Sequence, residues 1–265
     1  MPIFIFLLGL ILGSFANVLV CRRGTGRTVS GRSRCLSCSR TLGVLDLVPV
    51  LSWIFLRGRC RGCSAKISWQ YPLVELAMGL GFLAAYGTAA RLAPPPLLFL
   101  FFTLVAAVVF LWVAISAYDF RHMAIPDSWS YAAAALALGF AVLAGVGSPL
   151  LLALAGPLVA LPLYLLWLVS GGRWLGAGDP KLALSVGWLL GASGGFLALF
   201  LAVLVGAAAG LAWVGLSAMR RRGKAVTMKA AMPFGPFIVL GAIVVLGTGL
   251  TFAHLFSGAE QLYGL

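Results

Sequence analysis

Apolar stretches of roughly 20 residues, each bounded by charged residues or by Pro/Gly punctuation, recur from one end of this 265-residue chain to the other. A helix needs about 20 residues to cross the roughly 30 Å hydrocarbon layer of a bilayer. With 62% hydrophobic and only 9% charged residues, the chain lacks the polar surface a water-soluble fold requires. In lipid every backbone polar group must be satisfied internally, so only helices or closed barrels remain, and continuous rather than alternating apolar runs select helices. The expected fold is an all-α polytopic membrane protein.

The runs predict about eight spans, near 2–21, 71–90, 97–117, 128–146, 149–169, 179–192, 194–217 and 233–256. The sixth is short and starts at a polar motif. The first is read as a retained span, because no small-residue cleavage site follows it and its positive charge lies after the apolar core. With the amino terminus outside, 18 of the 19 lysines and arginines fall in inner loops and only Arg91 falls outside. That distribution obeys the positive-inside rule and supports an even number of spans. The net charge of +13 is thereby read as topology and contact with anionic lipid rather than nucleic-acid binding. Glycine and alanine runs such as Gly206–Gly210 are expected to let helices approach closely.

The expected organisation is a first transmembrane helix over 1–21, a small cytoplasmic domain over 22–70, and a transmembrane catalytic region over 71–265. Residues 22–70 hold four of the five cysteines and ten basic side chains against one acid, Asp46. So short a segment is poorly stabilised by an apolar core alone, and a metal staple is expected. Cys35-x-x-Cys38 and Cys60-x-x-Cys63 have close to the spacing by which four thiolates enclose zinc. Disulfides and a metal-free remnant are the alternatives, the first disfavoured by a reducing cytosol. Four thiolates leave no open position on the metal, so the zinc would be structural. Cys21 is read as a small apolar residue.

Only six acidic residues exist, namely Asp46, Glu75, Asp119, Asp127, Asp179 and Glu260. Carboxylates near a bilayer are costly and usually functional. Asp119 ends the third span and Asp179 begins the sixth, which puts both at the cytoplasmic boundary. Simpler readings are an Asp119–Arg121 pair and a helix-capping Asp179 ahead of Pro180. Asp127, after Ile125-Pro126, is read first as the N-cap of the next helix. Two carboxylates held close share one proton, which supplies one base and one acid. The base would take a proton from water attacking a peptide carbonyl, while the acid would hydrogen-bond the carbonyl oxygen and help protonate the leaving amine.

Gly13-Ser14-Phe15-Ala16-Asn17-Val18, Pro49-Val50-Leu51-Ser52-Trp53, Arg57-Gly58-Arg59-Cys60, Ile67-Ser68-Trp69-Gln70-Tyr71-Pro72-Leu73-Val74-Glu75, the Asp119 sequence Ala117-Tyr118-Asp119-Phe120-Arg121-His122-Met123-Ala124-Ile125-Pro126-Asp127, the GxGD sequence Gly176-Ala177-Gly178-Asp179 and Pro233-Phe234-Gly235-Pro236-Phe237 stand in one order along the chain. Together with the cysteine pairs, they resemble the type IV prepilin peptidase family within the GxGD membrane aspartyl proteases. The resemblance implies removal of a basic leader from prepilins or pseudopilins, after a glycine, at the cytoplasmic face of the bacterial inner membrane. It places the catalytic pair on Asp119 and Asp179. It further implies that the new amino terminus is methylated with S-adenosylmethionine, although the sequence contains no glycine-rich βαβ nucleotide unit. Arg23-Gly24, Leu36 and Pro180 depart from the usual family pattern. The alternatives from other classes are an ion- or proton-coupled transporter and a non-catalytic zinc-anchored assembly protein.

Overall fold

The computed structural model of the chain describes residues 1–25, 28, 30–145, 148–219 and 232–252. The basic run from Arg220 to Lys229, Arg27, Glu260 and the end of the last predicted span therefore lie outside the described residues. The elements in order are α1 (Pro2–Arg22), a 3-10 turn (Val44–Asp46), α2 (Leu51–Phe55), α3 (Gln70–Leu92), a 3-10 turn (Pro95–Leu97), α4 (Leu98–His122), α5 (Asp127–Ala144), α6 (Pro149–Ser170), α7 (Gly178–Met219) and α8 (Gly235–Thr248). Six helices are long and apolar enough to cross a membrane, and α8 is a shorter apolar one. The protein is a multi-pass membrane protein.

The longest helix is two arms. Gly191, at φ 72° and ψ 169°, breaks the helical path inside α7. A Cβ on Gly195 would lie 3.3 Å from the Cα of Gly187, whereas eight residues of straight helix advance about 12 Å. The chain thus doubles back at Gly191. Counting the arms 178–190 and 192–219 separately gives eight apolar helical segments, as the sequence predicts.

Close approaches between helices fall at glycines, but not at the run expected to provide them. A Cβ at Gly9 would meet the Gly79 Cα at 2.8 Å, one at Gly13 the Glu75 Cα at 2.7 Å, and one at Gly187 the Ala155 carbonyl at 2.4 Å. Gly210 faces open space and Gly206 makes only ordinary contact with Phe237. Sequence composition marks small residues without revealing which of them turn toward a neighbour, and here Gly206 and Gly210 do not seat a helix crossing.

Side-chain bonds fix the two ends of the bundle. At one end, Arg23 donates to the Ser128 hydroxyl at 3.0 Å and stacks over Trp129, while Arg121 donates to Cys21 Sγ at 3.4 Å. The ends of α1 and α4 and the start of α5 therefore meet on the side of the cysteine segment. At the other end, Arg91 donates to the carbonyls of Leu246 and Gly247, at 2.7 and 3.3 Å. These are among the last carbonyls of α8, which no intrahelical donor can satisfy and toward which a cation is favourably placed.

Candidate active site and metal centre

Asp119 lies in the last turn of α4 and Asp179 in the first turn of α7, and each is only 5% exposed. The two helix ends converge on shared neighbours: Gly235, which bonds Asp119, and Gly178, next to Asp179, both lie against Ile125. The backbone N–H of Gly235, at the start of α8, donates to Asp119 Oδ2 at 3.1 Å. Asp179 Oδ1 is buried without a hydrogen-bond partner among the described residues.

Glycines make this convergence possible. A Cβ on Gly235 would stand 2.8 Å from Asp119 Oδ2, and one on Gly178 would stand 2.5 Å from the Cβ of Ile125. Deeper in the bundle, the Trp112 indole N–H donates to the Ser185 hydroxyl at 2.7 Å, with both residues wholly buried. Trp112 is seven residues from Asp119 along α4, and Ser185 is six from Asp179 along α7. The bond therefore sets the axial register of the two aspartate-bearing helices about two turns below the carboxyls. Burial of both partners makes it costly to break, because a lone indole N–H in an apolar interior finds no replacement.

Asp127 does not cap α5. Pro126 occupies the N-cap position, Asp127 is the first helical residue, and its carboxylate accepts from Lys181 Nζ at 2.7 Å. The tertiary partner overrides the local preference: α5 lies against α7, so the ammonium two residues beyond Asp179 is within reach. Asp119 makes no ion pair with Arg121 among the described residues, since that guanidinium turns to Cys21.

A cavity of about 630 Å³ lies between α5, α6 and α7 and is lined by Tyr131, Tyr164, Trp167, Pro180, Lys181 and Leu184 among others. Its residues on α7, at 180, 181 and 184, recur at helical spacing, which places them on the face of that helix turned away from Asp179. The cavity is thus distinct from the aspartate cleft.

In the cysteine segment, the two CxxC sequences fold as near copies. Cys35 N–H bonds the Arg40 carbonyl and Cys60 N–H the Ala65 carbonyl, each at 2.9 Å. Ser39 and Ser64, each just after the second cysteine of its pair, share a left-handed φ of 57°. All five cysteines of the chain are free. The Sγ atoms of Cys35, Cys38, Cys60 and Cys63 all lie within 4.8 Å of one another, with Cys35 and Cys63 3.8 Å apart. Sulfurs placed tetrahedrally about 2.3 Å from zinc would be about 3.8 Å apart, so the cluster fits that ion. Backbone N–H groups of Cys38 and Ser37 pull the Cys35 thiol down to about 6, whereas that of Cys63, despite the Ala65 backbone bond, is pushed up to about 11 by hydrogen bonds to the neighbouring thiols, so a metal entering the cluster would displace protons from it.

The segment is tied to the membrane helices by Glu75 of α3. This buried residue accepts the Val50 N–H at 2.7 Å. Val50 holds φ 61° and ψ −52°, a costly conformation for a β-branched residue. Nothing local in the sequence assigns Glu75 this role. Trp112 and Ser185 are likewise silent in sequence, as neutral residues inside apolar runs, and Ile125 is marked only as part of the Asp119 sequence, with no role attached. Gly235 stands out only through the motif that contains it.

Comparison with known proteins adds the following. Residues 7–89 match the Bacterial Peptidase A24 N-terminal domain, and residues 106–211 match the Type IV leader peptidase family. A Prepilin leader peptidase/N-methyltransferase of Aeromonas hydrophila is 32% identical over 91% of this chain and 89% of its own length. One of Burkholderia pseudomallei (strain 1026b) is 35% identical over 96% of this chain and 88% of its own. One of Myxococcus xanthus is 35% identical over 70% of this chain, which spans only 55% of that relative's length. No solved structure matches.

Proposed function

The chain belongs to the type IV leader peptidase family, and on that premise we propose that it removes the leader of prepilins or pseudopilins with Asp119 and Asp179 as its catalytic pair. The observation that carries this reading is the pair itself: two buried carboxyls at the same end of the bundle, each beside a glycine that packs on Ile125. The ionised member takes a proton from a water molecule, whose oxygen then adds to the scissile carbonyl carbon. The protonated member hydrogen-bonds the carbonyl oxygen and later passes its proton to the departing amine, which leaves as the C–N bond breaks. The Gly235 N–H holds Asp119 in orientation. The open Oδ1 of Asp179 leaves a buried acceptor for water or substrate. A carboxyl pair at one end of the bundle suits hydrolysis at a membrane edge better than transport, which needs polar groups at mid-depth.

Zinc held by Cys35, Cys38, Cys60 and Cys63 would staple the segment between α1 and α3, with all four positions filled by thiolate and none open to substrate. Methylation of the new amino terminus, with S-adenosylmethionine as donor, is the second activity in this reading. Its support is the sequence resemblance and the N-methyltransferase in the relatives' names.

The aspartates face the cytoplasm across the bacterial inner membrane in this reading, with the amino terminus outside. Arg22, Arg23, Lys66, Arg121 and Lys181 gather at the aspartate end, and Arg91 lies at the other, in keeping with the positive-inside rule. The cysteine segment rests on anionic lipid. Val44, Leu45, Leu51, Ile54, Phe55 and Trp69 are exposed beside its arginines, the combination that settles into a headgroup layer.

Mass spectrometry of a prepilin co-expressed with the wild type, Asp119→Asn or Asp179→Asn tests the reading, since it reports leader loss and methyl gain together. The wild type should yield cleaved and methylated pilin, and either variant should yield only precursor. Near-normal cleavage by either variant would rule out the pair.

A further inference from the structure

The aspartate cleft contains one apolar side chain that neither the carboxyl chemistry nor the helix core accounts for. At the end of α4, Met123 turns into the left-handed region (φ 50°, ψ 42°) and its N–H bonds the Asp119 carbonyl at 2.7 Å. The turn leads residues 123–126 from Asp119 to the start of α5. Met123 and Ala124 point outward and are exposed, whereas Ile125 is half-buried and packs inward.

Ile125 meets both glycine walls of the cleft. Its Cβ lies 2.5 Å from where a Cβ of Gly178, the residue before Asp179, would stand. Its Cδ1 lies 3.4 Å from where a Cβ of Gly235 would stand, the same point that is 2.8 Å from Asp119 Oδ2. The space left by two missing side chains, one beside each aspartate, is thus filled by a third residue from a connecting loop. Asp119 and Asp179 are both buried, and Ile125 packs against the glycine beside each of them.

We propose that Ile125 is a specificity-determining residue of the aspartate cleft, whose branched side chain limits the size of the substrate residue next to the scissile bond. A peptide carbonyl between the carboxyls would bring its own Cα against the Ile125 side chain that fills this space. There a hydrogen in place of a Cβ removes the clash, so a glycine before the cut is favoured by shape alone. The proposal rests on the proteolytic reading above and goes beyond it by assigning the selectivity to a loop residue that carries no chemistry.

The test compares full-length wild type, Ile125→Val and Ile125→Ala in lipid nanodiscs, each on two prepilins that differ only in Gly or Ala before the cut. The readout is the ratio of kcat/KM for the two substrates. A residue with a merely structural role would lower both values together and leave the ratio unchanged. One methyl group is typically discriminated about 10- to 200-fold by a close-fitting pocket, so Ile125→Ala should narrow the wild-type Gly/Ala ratio by roughly 10-fold or more. Ile125→Val should narrow it less, and it carries the test alone if Ile125→Ala fails to fold. Cleavage of the glycine substrate with an unchanged ratio in these variants would overturn the assignment of Ile125 while leaving the peptidase reading intact. A wild type that cuts neither substrate would overturn the peptidase reading and this inference with it.

Discussion

The backbone N–H of Gly235 donates to Asp119 Oδ2 across 116 residues of sequence, at 3.1 Å, and only a residue without Cβ leaves that oxygen in place. A methyl group at position 235 would stand 2.8 Å from the oxygen and push the carboxyl aside. Displacing a catalytic group by about an ångström typically costs on the order of 100-fold in rate. Gly235→Ala should therefore lower kcat for leader removal by about that factor while membrane insertion stays normal. Wild-type turnover by Gly235→Ala, followed on gels of prepilin processing, would show that Asp119 needs no such support.

Ser185→Ala removes the acceptor of the Trp112 indole N–H in the bundle interior. A buried donor left unpaired costs about 1–3 kcal/mol, so the melting temperature in detergent should fall. Because the same bond sets the register of α4 against α7, kcat should fall as well, with little change in KM. Ser185→Thr, which keeps the hydroxyl, should recover part of both. Unaltered melting in Ser185→Ala would mean that another acceptor takes the indole.

Purified protein should contain about one zinc per chain by elemental analysis, and replacing Cys35, Cys38, Cys60 or Cys63 by serine should abolish the binding. Thiolates are the ligands, so protons compete with the metal for all four sulfurs and zinc should be released on acidification. Since the cysteines and the aspartates lie on separate parts of the chain, zinc loss should disturb folding or methylation before cleavage. A freshly purified, never-chelated sample without metal would defeat the assignment.

Asp127→Asn breaks the ion pair with Lys181 but leaves a helix N-terminus already headed by Pro126. The Asp127 side chain is 61% exposed, and pairs at such positions contribute about 0–1 kcal/mol. Stability should change by no more than that, and cleavage should persist. Loss of all cleavage at unchanged stability would instead bring Asp127 into the catalytic site.

What could be read from sequence was whatever local chain chemistry or the bilayer dictates. Apolar runs had to be helices because lipid offers the backbone no other partner. Even the two arms of α7 are visible, although the spans 179–192 and 194–217 put the break at 193, two residues past Gly191, where the chain turns. The cysteine knuckles were legible because both ligands of a CxxC pair are set by a few adjacent residues. The scarcity of carboxylates drew attention to Asp119 and Asp179.

Tertiary structure alone decided what those residues touch. Asp127 has the sequence of a cap and the structure of an ion pair, because Lys181 reaches it only when α5 lies against α7. Gly206 and Gly210 have the composition of a helix crossing and do not make one, while Gly9, Gly13 and Gly187 do. The roles of Ile125, Gly235, Trp112 and Ser185 depend on the rotation and axial register of each helix against its neighbours. Hydropathy and spacing determined which segments are apolar helices, because that property is settled residue by residue along the chain. The faces that meet are settled by side-chain fit between segments up to 116 residues apart, and that fit exists only once the helices have come together.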